Sequence, residues 1–166
     1  MLDIDRILVP IDFSEHAEAA LAHAVELART HDAQLMLLHV IEDPTFPSFY
    51  GAGAAMLYDD LPNLKSRAED ALTEWADGID EPSPRTTTHV VQGGAGSAIV
   101  AFCTERRADL IVISSLGRTG LKRVMLGSVT EHVVRKAPCA VFVLKSATSS
   151  LVPGRPPLET ASESAP

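Results

Sequence analysis

At 166 residues, 46% of them hydrophobic and 22% charged, the chain has apolar material enough to fill one domain core. Its net charge of −8 argues against nonspecific nucleic-acid binding and against anionic membranes. No apolar run reaches the roughly 18 residues of a spanning helix, and the start, Met1-Leu2-Asp3-Ile4-Asp5-Arg6, carries two acids and no long apolar region, unlike a signal peptide, so a cytoplasmic protein is expected.

Five short apolar runs predict strands at residues 6–11, 35–41, 86–91, 109–114 and 139–144. Four of them are nearly continuous in Val, Ile and Leu, the pattern of strands covered on both faces in a parallel sheet. The run at 86–91 is more polar and is expected nearer an edge. Helical periodicity fills the intervals. Over residues 14–30, Ala17, Leu21, Ala24 and Ala28 share a face, with Ser14 as cap and Glu15 and Glu18 at the positive end of the dipole. Over residues 64–79, Leu64, Ala68, Ala71, Leu72 and Trp75 align, and Gly78 supplies a stop. Residues 97–107 turn Ile99, Val100 and Cys103 inward, and residues 127–136 turn Val129, Val133 and Val134 inward, before Pro138.

Strand and helix therefore alternate, which predicts an α/β fold: a doubly wound, Rossmann-like parallel sheet of five strands with helices on both faces. Ligands of such sheets bind beyond the carboxyl ends of the strands, where strand order reverses. The ends of the first and fourth strands are the places to look.

Two segments stand outside the alternation. Residues 42–63 hold Phe46, Phe49, Tyr50, Met56, Leu57 and Tyr58 among glycines and prolines, which reads as a folded flap or partner surface. Residues 146–166 carry four prolines and few apolar groups, and read as a disordered tail after a domain spanning 1–145. Cys103 and Cys139 lie in apolar stretches and read as two buried small hydrophobes, since a disulfide framework or zinc site calls for more ligands at closer spacing. None of the six histidines has the i, i+4 partner of a common metal site, so each reads as solvent-facing or hydrogen-bonded.

The segment from Ser114 to Thr130 carries the chemistry. It leaves a predicted strand, turns on Gly117 and Gly120, and enters a helix at Gly127-Ser128. The N–H groups of Gly127, Ser128, Val129 and Thr130 open that helix and attract an anion, and the Ser128 hydroxyl adds a donor for a phosphate oxygen. Arg118, Lys122, Arg123, Arg135 and Lys136 outnumber Glu131 here, a basic patch on an acidic chain. On physics alone a phosphate site and a glycine-rich loop capped without ligand stand even, as do an anion-binding patch and a solvated helix face.

The segment resembles the universal stress protein family. Its ATP-binding members carry Gly-x-x-Gly, nine residues, then Gly-Ser or Gly-Thr; here nine residues separate Gly117 from Gly127-Ser128. The resemblance extends to Ile7-Leu8-Val9-Pro10-Ile11-Asp12-Phe13-Ser14, to Leu37-Leu38-His39-Val40-Ile41, to Gly93 and to Ala137-Pro138-Cys139, covering residues 6–145 in order. The first glycine of the pair is replaced by Ser114, which costs about 1 kcal/mol or more if that backbone takes positive φ. The resemblance implies an adenine nucleotide alpha hydrolase-like fold with ATP as ligand. Pro10 and Ile11 would line the base pocket, Asp12 would accept hydrogen bonds from the adenosine, and the Val40 backbone would read the adenine edge. Ser114 and Gly117 would pass under the ribose and α-phosphate; Gly127, Ser128, Val129 and Thr130 would hold the outer phosphates. Mg2+ or Mn2+ would bridge those phosphates. An alternative for Asp12 is an acid that merely supports Ser14 at the start of the helix. Family members commonly pair their last strand with its copy, so a homodimer through Cys139 to Leu144 is expected.

Three functions compete: a regulatory ATP-binding module in the stress response, a slow ATPase, and a dimeric interaction protein that has lost its nucleotide. The glycine loop lacks the Walker lysine and no general base is evident beside the phosphates, which argues against an enzyme and for the first.

Overall fold

Strands rich in Val, Ile and Leu without alternation demand cover on both faces, and the fold supplies it. The structure, a computed structural model, describes residues 3–42, 61–115 and 126–145. Along the chain it forms β1 (Arg6–Pro10), α1 (Glu15–His31), β2 (Gln34–Ile41), α2 (Leu61–Asp77), β3 (Thr86–Gln92), α3 (Ala95–Arg106), β4 (Leu110–Ser114), α4 (Ser128–Lys136) and β5 (Ala140–Leu144). All strand pairs are parallel, in the order β3-β2-β1-β4-β5. Strand order thus reverses between β1 and β4, as the alternation predicts.

Two apolar layers sandwich the sheet. Ile7, Val9, Leu35, Leu37, Leu110 and Val112 face α1 and α2, where Ala20, Ala24, Ala28 and Leu72 are fully buried. Leu8, Met36, Leu38, Ile111 and Ile113 face α3 and α4, against Ile99, Phe102, Cys103 and Val133. Successive residues of β1 therefore enter opposite cores, and each strand contributes both.

Local signals place the elements. The Ser14 hydroxyl accepts from the Ala17 N–H at 3.2 Å, capping α1, with Glu15 and Glu18 in the first turn. At the amino edge of the sheet the Asp109 carboxylate accepts from the Asp5 and Arg6 N–H groups at 3.0 and 2.9 Å, tying the starts of β1 and β4 together. The polar strand β3 occupies one edge, as expected, and β5 the other.

Some expectations need correction. Val134 is 45% exposed: α4 turns Val129 and Val133 to the core, four residues apart, and Val134 lies a further 100° round the helix. Thr130 is buried in its place. Residues 61–63, expected within the long connection, already belong to α2. The rest of that connection, residues 43–60, and the tail lie outside the described residues.

α3 and α4 meet closely at Gly96, where an added Cβ would come within 2.9 Å of the His132 Cβ and Cγ. Gly96→Ala gains about 1 kcal/mol of helix propensity but overpacks an interhelix contact, at about 1–3 kcal/mol. The clash is with the root of the His132 side chain, which cannot swing clear, so overpacking should win. We expect a lower midpoint in urea denaturation; an equal or higher midpoint would show that α4 shifts at no cost.

Candidate functional site

β1 and β4 are neighbours, with Ile7 opposite Leu110 and Leu8 opposite Ile111, so their carboxyl ends, Pro10 and Ser114, share one edge. β2 lies on the other side of β1, with Leu38 opposite Pro10, which puts Val40 two residues beyond Pro10 on that edge. The structure thus brings together Pro10, Ile11, Asp12, Val40 and Ser114, which are scattered through the sequence. Gly117 lies outside the described residues, as do Arg118, Lys122 and Arg123.

The turn after β1 is held from several directions. The Ile11 N–H donates to the Leu38 carbonyl at 2.8 Å, and the Ile11 carbonyl accepts from His39 Nδ1 at 2.7 Å, which fixes the proton on that nitrogen. The Ile11 side chain is 2% exposed and is part of the α1-side core. Asp12 Oδ1 accepts from the Ser14 N–H at 3.1 Å and from the Ser14 hydroxyl at 2.5 Å. That leaves Ser14 Oγ free to accept from Ala17, so Asp12 and Ser14 together form the start of α1.

Phe13, which sequence reasoning missed, sits between them at φ 61°. Positive φ is rare for a bulky side chain and marks a backbone overdetermined by its surroundings. Here the Asp12–Ser14 bonds bend the chain, and the Phe13 ring rests 4.6 Å from His39 and 5.7 Å, edge on, from Trp75. The ring remains 36% exposed beside Asp12. An aromatic residue between Asp and Ser at a strand end was the available signal.

Across the edge, Ser114 ends β4 paired with Leu144 in strand conformation, and it is not among the non-glycine residues with positive φ. The strain anticipated for a serine here is therefore absent. Its carbonyl accepts from the Thr130 hydroxyl at 2.8 Å. Ser115, buried and also unanticipated, donates its N–H to Leu144 at 2.6 Å and accepts from the Gly127 N–H at 2.9 Å. Gly127 thus spends its donor on Ser115, and of the four N–H groups expected to face an anion those of Ser128, Val129 and Thr130 are left. An α-helix provides no internal acceptor for those first-turn N–H groups, and its dipole places partial positive charge there.

The basic patch divides. Arg135 pairs with Glu131 at 2.8 Å, and both Arg135 and Lys136 lie in the last turn of α4, about 10 Å from its start. They serve the negative end of that helix. Among the described residues no three His, Cys, Asp or Glu side chains converge as a metal site, and no helix is long and apolar enough to cross a membrane.

The comparisons agree with this geometry. A profile of the Universal stress protein family matches residues 3–145. Universal stress protein MJ0531 of Methanocaldococcus jannaschii is 33% identical over 140 residues, covering 84% of this chain and 81% of its own. Among solved structures, the universal stress protein UspA from Lactobacillus plantarum superposes with a TM-score of 0.74 at 31% identity, over 86% of this chain and 98% of that one. A universal stress protein solved in complex with cAMP shares the fold at 22% identity and a TM-score of 0.55, over 86% of this chain and 98% of that one.

Proposed function

The chain belongs to the universal stress protein family, and from that premise we propose that it is a cytoplasmic ATP-binding regulatory module that turns its nucleotide over slowly or not at all. One observation carries the reading: the strand reversal at β1 and β4 sets the Asp12 turn and Ser114, to which Thr130 ties the first turn of α4, on the same carboxyl edge of the sheet. In this reading Asp12 and the Val40 backbone meet the adenosine, and Pro10 and the exposed Phe13 ring flank it. Ser114 and Gly117 border the ribose and α-phosphate. The Ser128, Val129 and Thr130 N–H groups and the Ser128 hydroxyl hold the outer phosphates. Mg2+ or Mn2+ would be carried by the phosphate oxygens, hard ligands that suit it, and would neutralise charge there. Isothermal titration of the purified chain with Mg-ATP tests the reading: saturable, one-to-one binding is expected, and absence of heat together with absence of nucleotide in the purified protein would overturn it.

Regulation rather than turnover follows from what the site offers. Phosphoryl transfer to water needs a nucleophile held in line and charge neutralised around it. The described part of the phosphate side presents backbone donors and a hydroxyl, and Glu131, in the first turn of α4, is paired with Arg135. We expect phosphate release well below ordinary enzyme rates of about 1 per second. Malachite-green assays under multiple turnover check this, and release at enzyme rates would place the chain among the ATPases. We further propose that β5, an edge strand, pairs with its copy to make a homodimer.

A further inference from the structure

The two thiols, 36 positions apart in sequence, meet in space: Cys103 Sγ and Cys139 Sγ are 3.3 Å apart. Cys103 lies on the inner face of α3 and is fully buried among Ile99, Phe102 and Val133. Cys139 lies between the end of α4 and the start of β5 and is half-buried, contrary to the expectation of two buried hydrophobes. Both are free thiols. A disulfide requires the sulfurs to close by only about 1.3 Å. Cys139 has the freedom to do so, because it belongs to neither α4 nor β5.

We infer that Cys103 and Cys139 form a reversible dithiol–disulfide site that reacts with hydroperoxides, Cys139 receiving the oxidant and Cys103 resolving it. The roles follow from access. An oxidant reaches Cys139 from solvent, whereas Cys103 is covered on every side. Burial, and then the neighbouring Cys139, push the Cys103 thiol up to about 12, so it keeps its proton at neutral pH and waits.

In the first step the Cys139 sulfur attacks the terminal peroxide oxygen; an S–O bond forms, the O–O bond breaks, and the remainder leaves as water or an alcohol. In the second the Cys103 sulfur attacks the Cys139 sulfur; the S–S bond forms, the S–O bond breaks, and the oxygen departs as water with the Cys103 proton. Two thiols thereby lose two electrons and two protons to the peroxide. The bridge encloses β4 and all of α4, and so fixes the far end of the helix whose start is tied to Ser114 by Thr130. This inference stands apart from the nucleotide reading.

The test uses the full chain, reduced, freed of reductant and treated with a slight excess of hydrogen peroxide in native buffer. Thiols are then titrated in denaturant and the intact mass is measured without reductant. Loss of both thiols is expected, with a mass decrease of about 2 Da in a single chain, a Cys103–Cys139 cross-link in the peptide map, and full reversal by dithiothreitol. Interchain disulfides, oxygen adducts as the end product, or two surviving thiols would each overturn it. Cys139→Ser, at the half-buried position, should leave Cys103 titratable after the same treatment; its consumption would overturn the assignment of Cys139 as the point of attack.

Discussion

Replacing Gly127 with aspartate is expected to abolish ATP binding while leaving the fold at least as stable as before. Gly127 is the N-cap of α4, at φ −59° and ψ 150°, a conformation open to any residue. A Cβ there would meet the Ser115 carbonyl oxygen at 3.4 Å, an ordinary contact. Aspartate is among the preferred N-caps, and over glycine it gains a few tenths of a kcal/mol. The same carboxylate would accept from the Val129 or Thr130 N–H, the donors assigned to the phosphates. It would also place a full negative charge against them, worth about 4 kcal/mol at 4 Å in a partly solvated site. Loss of affinity should therefore reach roughly 100-fold or more, with an unchanged or slightly raised thermal midpoint. Gly127→Ala, which adds bulk without charge, should bind within a few-fold of the parent. Titration calorimetry and thermal melts on all three proteins separate the outcomes. Parent-like affinity in Gly127→Asp would remove the α4 start from the site.

The fold was legible because its strands are buried on both faces. Ile7, Leu8 and Val9 must all be apolar when alternate residues enter different cores, and no amphipathic helix writes that pattern. Boundaries were less legible where a residue plays against its usual role. α2 begins three residues before the predicted Leu64 because Pro62 sits in its first turn, where proline has no hydrogen bond to lose. α3 begins two residues early because its cap is Gly94, with no side-chain oxygen to announce it.

In the candidate site, the alternation of elements pointed to the ends of β1 and β4, while the particular residues expected there came from the family resemblance. The hydrogen bonds that assign their donors were not legible. Whether the Gly127 N–H faces a ligand or Ser115 depends on how α4 docks, a contact across residues the sequence does not pair. The same holds for the two sulfurs: nothing in two isolated cysteines 36 positions apart announces a 3.3 Å contact. It follows from α3 and α4 packing on one face of the sheet, close enough that Gly96 has no room for a Cβ.

Val141→Pro is expected to convert a dimer into a folded monomer. The edge strand β5 pairs with β4 on one side, with Val141 opposite Ile111 and Phe142 opposite Val112. The Leu144 carbonyl accepts from the Ser115 N–H at 2.6 Å, so the backbone of Leu144 points toward β4. Backbone groups alternate along a strand, which directs Phe142 and Ala140 toward β4 and Val141 and Val143 toward the open edge. A second copy would pair through those outward groups. Proline at 141 removes one outward N–H and fixes φ near the extended range, which an edge strand tolerates on its solvent side. The intrasubunit ladder should survive. Phe142→Pro removes an inward donor together with a ring packed on the α1-side core, and should destabilise the subunit itself by about 3 kcal/mol or more. The side chains also favour pairing: Phe142 and Leu144 join one core and Val141 and Val143 the other, so two edges brought together would continue both layers. Light scattering with size exclusion should give a dimer for the parent at micromolar concentration. Val141→Pro should give a monomer with a near-parental thermal midpoint, and Phe142→Pro a loss of midpoint. A parent that runs as a clean monomer would overturn pairing through β5, and a dimer that survives Val141→Pro would move the interface to another face.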